Sequence, residues 1–137
     1  MVGSERVNDE HPLLRPGTLA LGVALALFSA PAIGWPRFFA RLAGLSVADE
    51  TGAVAVRSVA VRDTVMGIGL YSAARHGSRL GPWLLIRALC DGGDALAVGL
   101  AFARGGGNAR LAGLGALALG AAAYDVALLR MARSSGG

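Results

Sequence analysis

The chain has 137 residues, of which 54% are hydrophobic and 16% charged, and its mean hydropathy is +0.55. This composition excludes a disordered chain and argues against a water-soluble domain, which is about 45–50% apolar and about 25% charged. The net charge of +4 comes from arginines scattered through apolar segments, so we expect no nucleic-acid partner. The single cysteine, Cys90, excludes an intrachain disulfide and a cysteine-based metal site, and we predict no cofactor.

The chain begins with a polar segment, residues 1–15, which predicts a flexible tail. The run at about 17–35 has no charged residue and is long enough to cross a bilayer as a helix. Ala30-Pro31-Ala32 also fits the cleavage site of a signal peptide, which is the alternative for this run. Residues 37–50 place arginines beside aromatic residues, which is typical either of a short amphipathic helix in the membrane interface or of a polar loop.

Three further apolar runs follow at about 53–74, 81–103 and 111–129, and residues 131–137 predict a second flexible tail. Short connections make sequential helices antiparallel neighbours. We therefore predict an all-α fold, a four-helix transmembrane bundle with up-down topology formed by residues 16–130. The lipid bilayer is then its surroundings, and the protein is a multi-pass protein of the cell membrane. Six arginines flank the runs on the side of the termini and four on the other side, which indicates cytoplasmic termini.

Ionisable residues inside the predicted spans are the most informative feature of the sequence. Such residues are costly in a bilayer, face the interior of a bundle, pair with one another and often mark function. Seven are present: Arg57, Arg62, Asp63, Arg87, Asp91, Asp94 and Asp125.

Helical spacing and depth predict how these residues pair. Arg87, Asp91 and Asp94 share one face of a helix, at i, i+4 and i+7. A rise of about 1.5 Å per residue puts Arg87 opposite Asp125, and Arg57 or Arg62 near Asp94 or Asp91. Three arginines against four aspartates leave one carboxyl over, which in a low dielectric should be protonated and could act as an acid or a proton carrier.

From these pairs we predict candidate site residues. The candidate catalytic acids are Asp63, Asp91 and Asp94, because they lie nearest the middle of the spans. The candidate binding residues are Arg57, Arg62, Arg87 and Asp125. Two carboxylates one turn apart could also hold Mg²⁺, but Arg87 would compete for them, so we predict no metal.

Small residues predict close approach of helices at several positions. Gly67 and Gly69 in the second run and the series Ala112, Ala116, Gly120 in the fourth are of this kind. Gly92-Gly93 separates Asp91 from Asp94 and predicts room beside the carboxylates, for a ligand, a water molecule or a neighbouring helix.

The segments VRDTVMGIGL at 61–70 and RALCDGGDAL at 87–96 resemble a family of small bacterial and fungal four-helix membrane proteins of unknown function. The recurring elements are Arg-Asp on the second helix and Arg-Ala-x-x-Asp-x-x-Asp on the third. The resemblance covers roughly residues 18–130. It implies a membrane location and supplies no activity.

Three classes of function fit this sequence. The first is a membrane-embedded enzyme, an isomerase, cyclase or hydrolase that acts on a lipophilic small molecule by acid–base chemistry, and we place it slightly ahead of transport. The second is a subunit of a proton-coupled transporter that works as a homodimer, because four helices enclose little space. The third is an accessory protein whose ion pairs are structural.

Overall fold

The computed structural model describes residues 12–47 and 49–134, which form five helices and no strand. The helices are α1 (Leu14–Gly34), α2 (Pro36–Leu42), α3 (Glu50–Arg75), α4 (Gly81–Ala103) and α5 (Ala109–Ser134). The all-α prediction is confirmed. The four long helices correspond to the four apolar runs, and α2 corresponds to the segment for which a short helix and a loop were both open.

The long helices extend beyond the predicted spans where their ends are packed. Helix α1 begins inside the predicted tail, at Leu14, because Leu14 is buried in the main apolar cluster. Helix α5 continues to Ser134, through the first four residues of the predicted second tail. The reason is that Met131 and Ala132 pack against the same cluster. Residues 1–11 and 135–137 of the predicted tails lie outside the described residues.

Local chemistry explains how the connection between α1 and α3 folds. Helix α1 ends at Gly34, and Pro36 then occupies the first turn of α2, where its missing N–H costs no hydrogen bond. Asp49 caps α3, because its Oδ1 accepts a hydrogen bond from the Gly52 backbone N–H at 2.9 Å. The aromatic rings of Phe28 and Phe39 meet edge to face, with centroids 6.3 Å apart, and hold α2 beside the end of α1.

The long helices pack as two pairs, α1 with α3 and α4 with α5. In the first pair Gly22 and Gly67 face one another. A Cβ atom added at either would lie 2.7 Å from the backbone oxygen of the other, so only glycine allows this approach. In the second pair Gly115 of α5 receives Val98 of α4. The close approach of a helix predicted at Gly120 was wrong, because nothing lies within 4 Å of a Cβ added there.

The two pairs are joined at both ends of the molecule. At the end formed by the turn at 76–80 the main apolar cluster collects buried side chains from all four long helices: Leu14, Leu70, Ala73, Ala74, Leu80, Leu84, Leu128 and Leu129. At the opposite end the Asn108 side-chain amide donates to the Gly44 backbone oxygen at 2.7 Å. The charged residues lie between these two ends.

Two of the described helices, α1 and α5, are long and apolar enough to cross a membrane. Helices α3 and α4 have comparable lengths of 26 and 23 residues, but they carry most of the ionisable residues between the ends of the molecule. The long helices thus share a length that suits a bilayer and differ in charge.

Candidate functional site: an arginine–aspartate network

Six ionisable side chains from three helices form one continuous network. We call it the charge network; from one end to the other its members are Asp94, Arg62, Asp63, Arg87, Asp91 and Asp125. Acid and base alternate along it until its last two members, which are both acids.

The open end of the charge network is the pair Arg62 and Asp94, which links α3 to α4. Arg62 Nη2 lies 2.7 Å from Asp94 Oδ2, and Nη1 lies 3.4 Å from Oδ1, so the guanidinium faces both oxygens of the carboxylate. Arg62 Nε also donates to Asp63 Oδ1 at 2.9 Å. The two side chains of the pair are 33% and 40% exposed although both lie near the middle of their helices.

The closed end is centred on the buried side chain of Arg87. Its Nη2 lies 2.7 Å from Asp91 Oδ2, its Nε lies 3.6 Å from Asp125 Oδ2, and its Nη1 lies 3.8 Å from Asp63 Oδ1. One cation on α4 therefore faces carboxylates on α3, α4 and α5. Asp63 connects the two ends, because it contacts both arginines.

Several polar atoms at the closed end have no hydrogen-bond partner. They are Arg87 Nε and Nη1, Asp91 Oδ2, and both carboxylate oxygens of Asp125, whose side chain is 0% exposed. Arg87 and Asp91 are close enough for an ion pair, but their atoms are not aligned for a hydrogen bond. The carboxyl groups of Asp91 and Asp125 also lie within hydrogen-bonding range of each other. Because two carboxylates are both acceptors, that contact becomes a hydrogen bond only when one of them carries a proton.

Helical spacing explains how one helix serves both ends. Asp91 follows Arg87 by one turn and meets Asp125 of α5, whereas Asp94 pairs with Arg62 of α3. Gly92 and Gly93 between them are exposed, and a Cβ added at either would meet nothing within 4 Å. The room predicted at these glycines therefore lies on the outer surface of α4.

The structure brings together six of the seven predicted site residues. Arg87 lies opposite Asp125, as depth and spacing predict, and of the alternatives open for the other arginines the structure shows Arg62 beside Asp94. Arg57 was wrong as a network residue, because it lies nearer the start of α3. Its Nη1 is 2.7 Å from Glu50 Oε1, and its Nε donates to the Ile33 backbone oxygen at 3.2 Å.

The loss of Arg57 changes the charge balance of the site. The charge network contains two arginines and four aspartates, so it lacks two positive charges when every carboxyl is ionised. The sequence had suggested three arginines and a deficit of one.

Glu50 was missed as the partner of Arg57 because it lies outside the apolar run. It precedes Arg57 by seven residues, a spacing that puts both on one helix face and could have indicated the pair. Hydrogen bonds from Arg57 and from Arg37 lower the pKa of the Glu50 carboxyl below its ordinary value of 4.5.

Within residues 12–47 and 49–134, no group of three or more histidine, cysteine, aspartate or glutamate side chains has an arrangement that could hold a metal ion. Comparison of the chain with protein-family models, curated proteins and solved structures gave no match. The resemblance to small four-helix membrane proteins therefore stays a prediction.

Proposed function

We propose that this chain is a four-pass membrane protein whose charge network binds a proton at Asp91 and Asp125, as part of a proton-coupled transporter. The observation that carries this proposal is the fully buried Asp125 carboxyl, which has no hydrogen bond and lies against a second carboxyl. A proton placed between the two groups supplies the missing donor.

The outer surface supports a membrane location. Large apolar side chains point outward on every long helix; examples are Leu27, Val65, Leu89 and Leu117, all more than half exposed. Only 22% of the most apolar window is buried in each of α1 and α5, whereas a core helix of a soluble protein is mostly buried. The close contact of Gly22 with Gly67 supports a retained α1 rather than a cleaved signal peptide.

The charge balance supports proton binding. Burying an uncompensated carboxylate in a low dielectric is so costly that the group takes up a proton instead. Four aspartates against two arginines leave two such charges. Arginine cannot supply protons at ordinary pH, so the exchangeable protons belong to the aspartates.

The order of the carboxyl groups along the charge network supports proton transfer as well as proton binding. Side-chain exposure falls from 40% at Asp94 to 18% at Asp63 and 0% at Asp125. Each carboxyl shares an arginine with the next one along the network. A proton that moves along the charge network would thus have a series of carboxyl groups on which to stop.

The geometry supports transport better than catalysis on a lipophilic substrate. A general acid must come within hydrogen-bonding reach of the substrate. The carboxyl with the greatest exposure in the charge network, Asp94, is already held by Arg62 through both of its oxygens. Asp91 and Asp125 are enclosed by the helices.

The proposal can be tested on a solid-supported membrane that carries the reconstituted protein. A pH jump should produce a transient current as protons enter the buried site, and this readout requires no solute. We expect Asp125→Asn to abolish the current. Asp49→Asn is the matched control, since asparagine also caps helices well, and it should leave the current unchanged.

Two results would contradict the proposal: no current in the wild type, or an unchanged current in Asp125→Asn. A variant that fails to accumulate would indicate a structural role for the same residues. Asp125→Asn should therefore be examined together with Asp91→Asn, and only variants with wild-type circular dichroism should be used.

A further inference from the structure

We propose that a second copy of this chain packs against the open end of the charge network, on the surface formed by α3 and α4. In that dimer Arg62 and Asp94 of each copy face Asp94 and Arg62 of the other. This inference rests on the proposed membrane location, and it adds the partner that completes the site.

Arg62 and Asp94 lie so deep in the proposed bilayer that their exposed sides need a polar partner. Arg62 is twelve residues from the first residue of α3 and thirteen from the last, and Asp94 is close to the middle of α4. The hydrocarbon core of a bilayer is about 30 Å thick, so headgroups lie about 15 Å from this level. Charged side chains at such a depth are costly when they face lipid tails. Yet 33% of Arg62 and 40% of Asp94 are exposed.

The charges of the exposed Arg62–Asp94 patch favour a second copy of the chain as this partner. The exposed patch carries one positive and one negative group, 2.7 Å apart. A two-fold axis through such a patch brings each group opposite its counterion in the other copy. A purely cationic or purely anionic ligand would instead oppose a like charge. The patch is therefore complementary to itself.

Along α4, the residues beside Asp94 include small ones that allow a second helix to approach closely. Cys90, Gly93 and Ala97 lie on the side of α4 next to Asp94, at spacings of four, one and three residues. A Cβ added at Gly93 meets nothing within 4 Å. On α3 the exposed Ser58 precedes Arg62 by one turn. Small residues of this kind allow transmembrane helices to pack with their backbones near each other.

Cross-linking in membranes tests the proposed interface. Cys90→Ala removes the single native cysteine, and Ala97→Cys then places one thiol beside the open end. Leu117→Cys is the matched control, because Leu117 is 68% exposed on α5 at about the same depth. On oxidation we expect a disulfide-linked dimer from Ala97→Cys and at most a trace from Leu117→Cys. Equal yields from the two positions, or no dimer from Ala97→Cys, would overturn the inference.

A steric variant gives an independent measurement of the same surface. Native mass spectrometry in mild detergent should give a dimer for the wild type and for Leu117→Phe, and a monomer for Ala97→Phe. A monomeric wild type, with or without bound lipid, would overturn the inference. The pH-jump current separates this outcome from the proposed function: a monomer with a normal current refutes the dimer alone, and a cross-linked dimer without a current refutes proton binding alone.

Discussion

At the scale of single residues, the closed end of the charge network depends on Arg87. Its guanidinium is the one positive group within 4 Å of Asp91 and Asp125 among the described residues, and it also faces Asp63. Removing one partner of a buried ion pair costs about 3–5 kcal/mol, because the other charge is left without compensation. Arg87 therefore positions three helices as well as balancing charge.

Exchange of the two residues tests this pairing. Arg87→Asp and Asp125→Arg should each reduce the yield of folded protein, since each leaves like charges buried together. The double exchange restores opposite charges at the same two positions and should recover much of the yield. The measurement is the amount of monodisperse protein extracted from membranes. A double variant as poor as either single variant would argue against the pair.

The exposed pair at the start of α3 predicts a limited pH effect. The Glu50 pKa is lowered in the folded protein by hydrogen bonds from Arg57 and Arg37, so the pair stabilises the fold above the ordinary glutamate pKa of 4.5. This contribution is lost as the pH falls through the lowered pKa. Glu50→Gln should lower the melting temperature in detergent slightly at neutral pH, and the difference from wild type should vanish in acid. A difference that persists in acid would contradict the assigned cause.

The sequence predicts the partner of an arginine only where few acidic residues compete for it. Spacing and depth predicted Arg87 with Asp125, but they left open whether Arg57 or Arg62 meets Asp94 or Asp91, because several aspartates lie near the middle of the helices. They failed for Arg57, whose nearest acid stands just outside the apolar run. The sequence also did not predict that the surface next to Asp94 is exposed. That exposure depends on which sides of α3 and α4 face each other, and spacing within one helix does not determine this.

At the scale of helices, the pairing of α1 with α3 is set by glycine on both sides. Gly22 and Gly67 oppose each other, and each leaves space for the backbone of the other. The sequence indicated Gly67 as a packing residue, but it equally indicated Gly120, which packs against nothing. Small residues show where a close approach is permitted, and the shape of the partner decides where it happens.

Alanine substitutions at these two positions should have opposite outcomes. Gly67→Ala would place its methyl group 2.7 Å from the Gly22 backbone oxygen, and overpacking of this kind costs about 1–3 kcal/mol. Gly120→Ala meets open space and should leave the stability unchanged or slightly raised. Thermal unfolding in detergent compares the two. Equal melting temperatures would show that α1 and α3 do not pack through this contact.

At the scale of the whole molecule, two helix pairs are fastened at both ends around a charged middle. The apolar cluster joins them near the 76–80 turn, and Asn108 joins them at the other end. Four antiparallel crossings would place the 76–80 turn on the same side as both termini.

Labelling of single cysteines tests this topology and the predicted orientation. In a Cys90→Ala background, Ser78→Cys should be protected from an impermeant maleimide in intact cells, and Gly106→Cys should be labelled. Permeabilised cells provide the control, because both sites should then react. Labelling of both residues from outside would exclude four crossings, and the reverse pattern would invert the orientation.

Infrared spectroscopy of the purified protein near neutral pH can detect the proton that we propose Asp91 and Asp125 share. A protonated carboxyl group gives a C=O stretching band that ionised carboxylates lack. We expect this band in the wild type and in Asp49→Asn, and a weaker band in a folded Asp125→Asn, which lacks the carboxyl that shares Arg87 with Asp91 and Asp63. A wild type without the band, or a folded Asp125→Asn that retains it in full, would show that Asp91 and Asp125 do not share a proton.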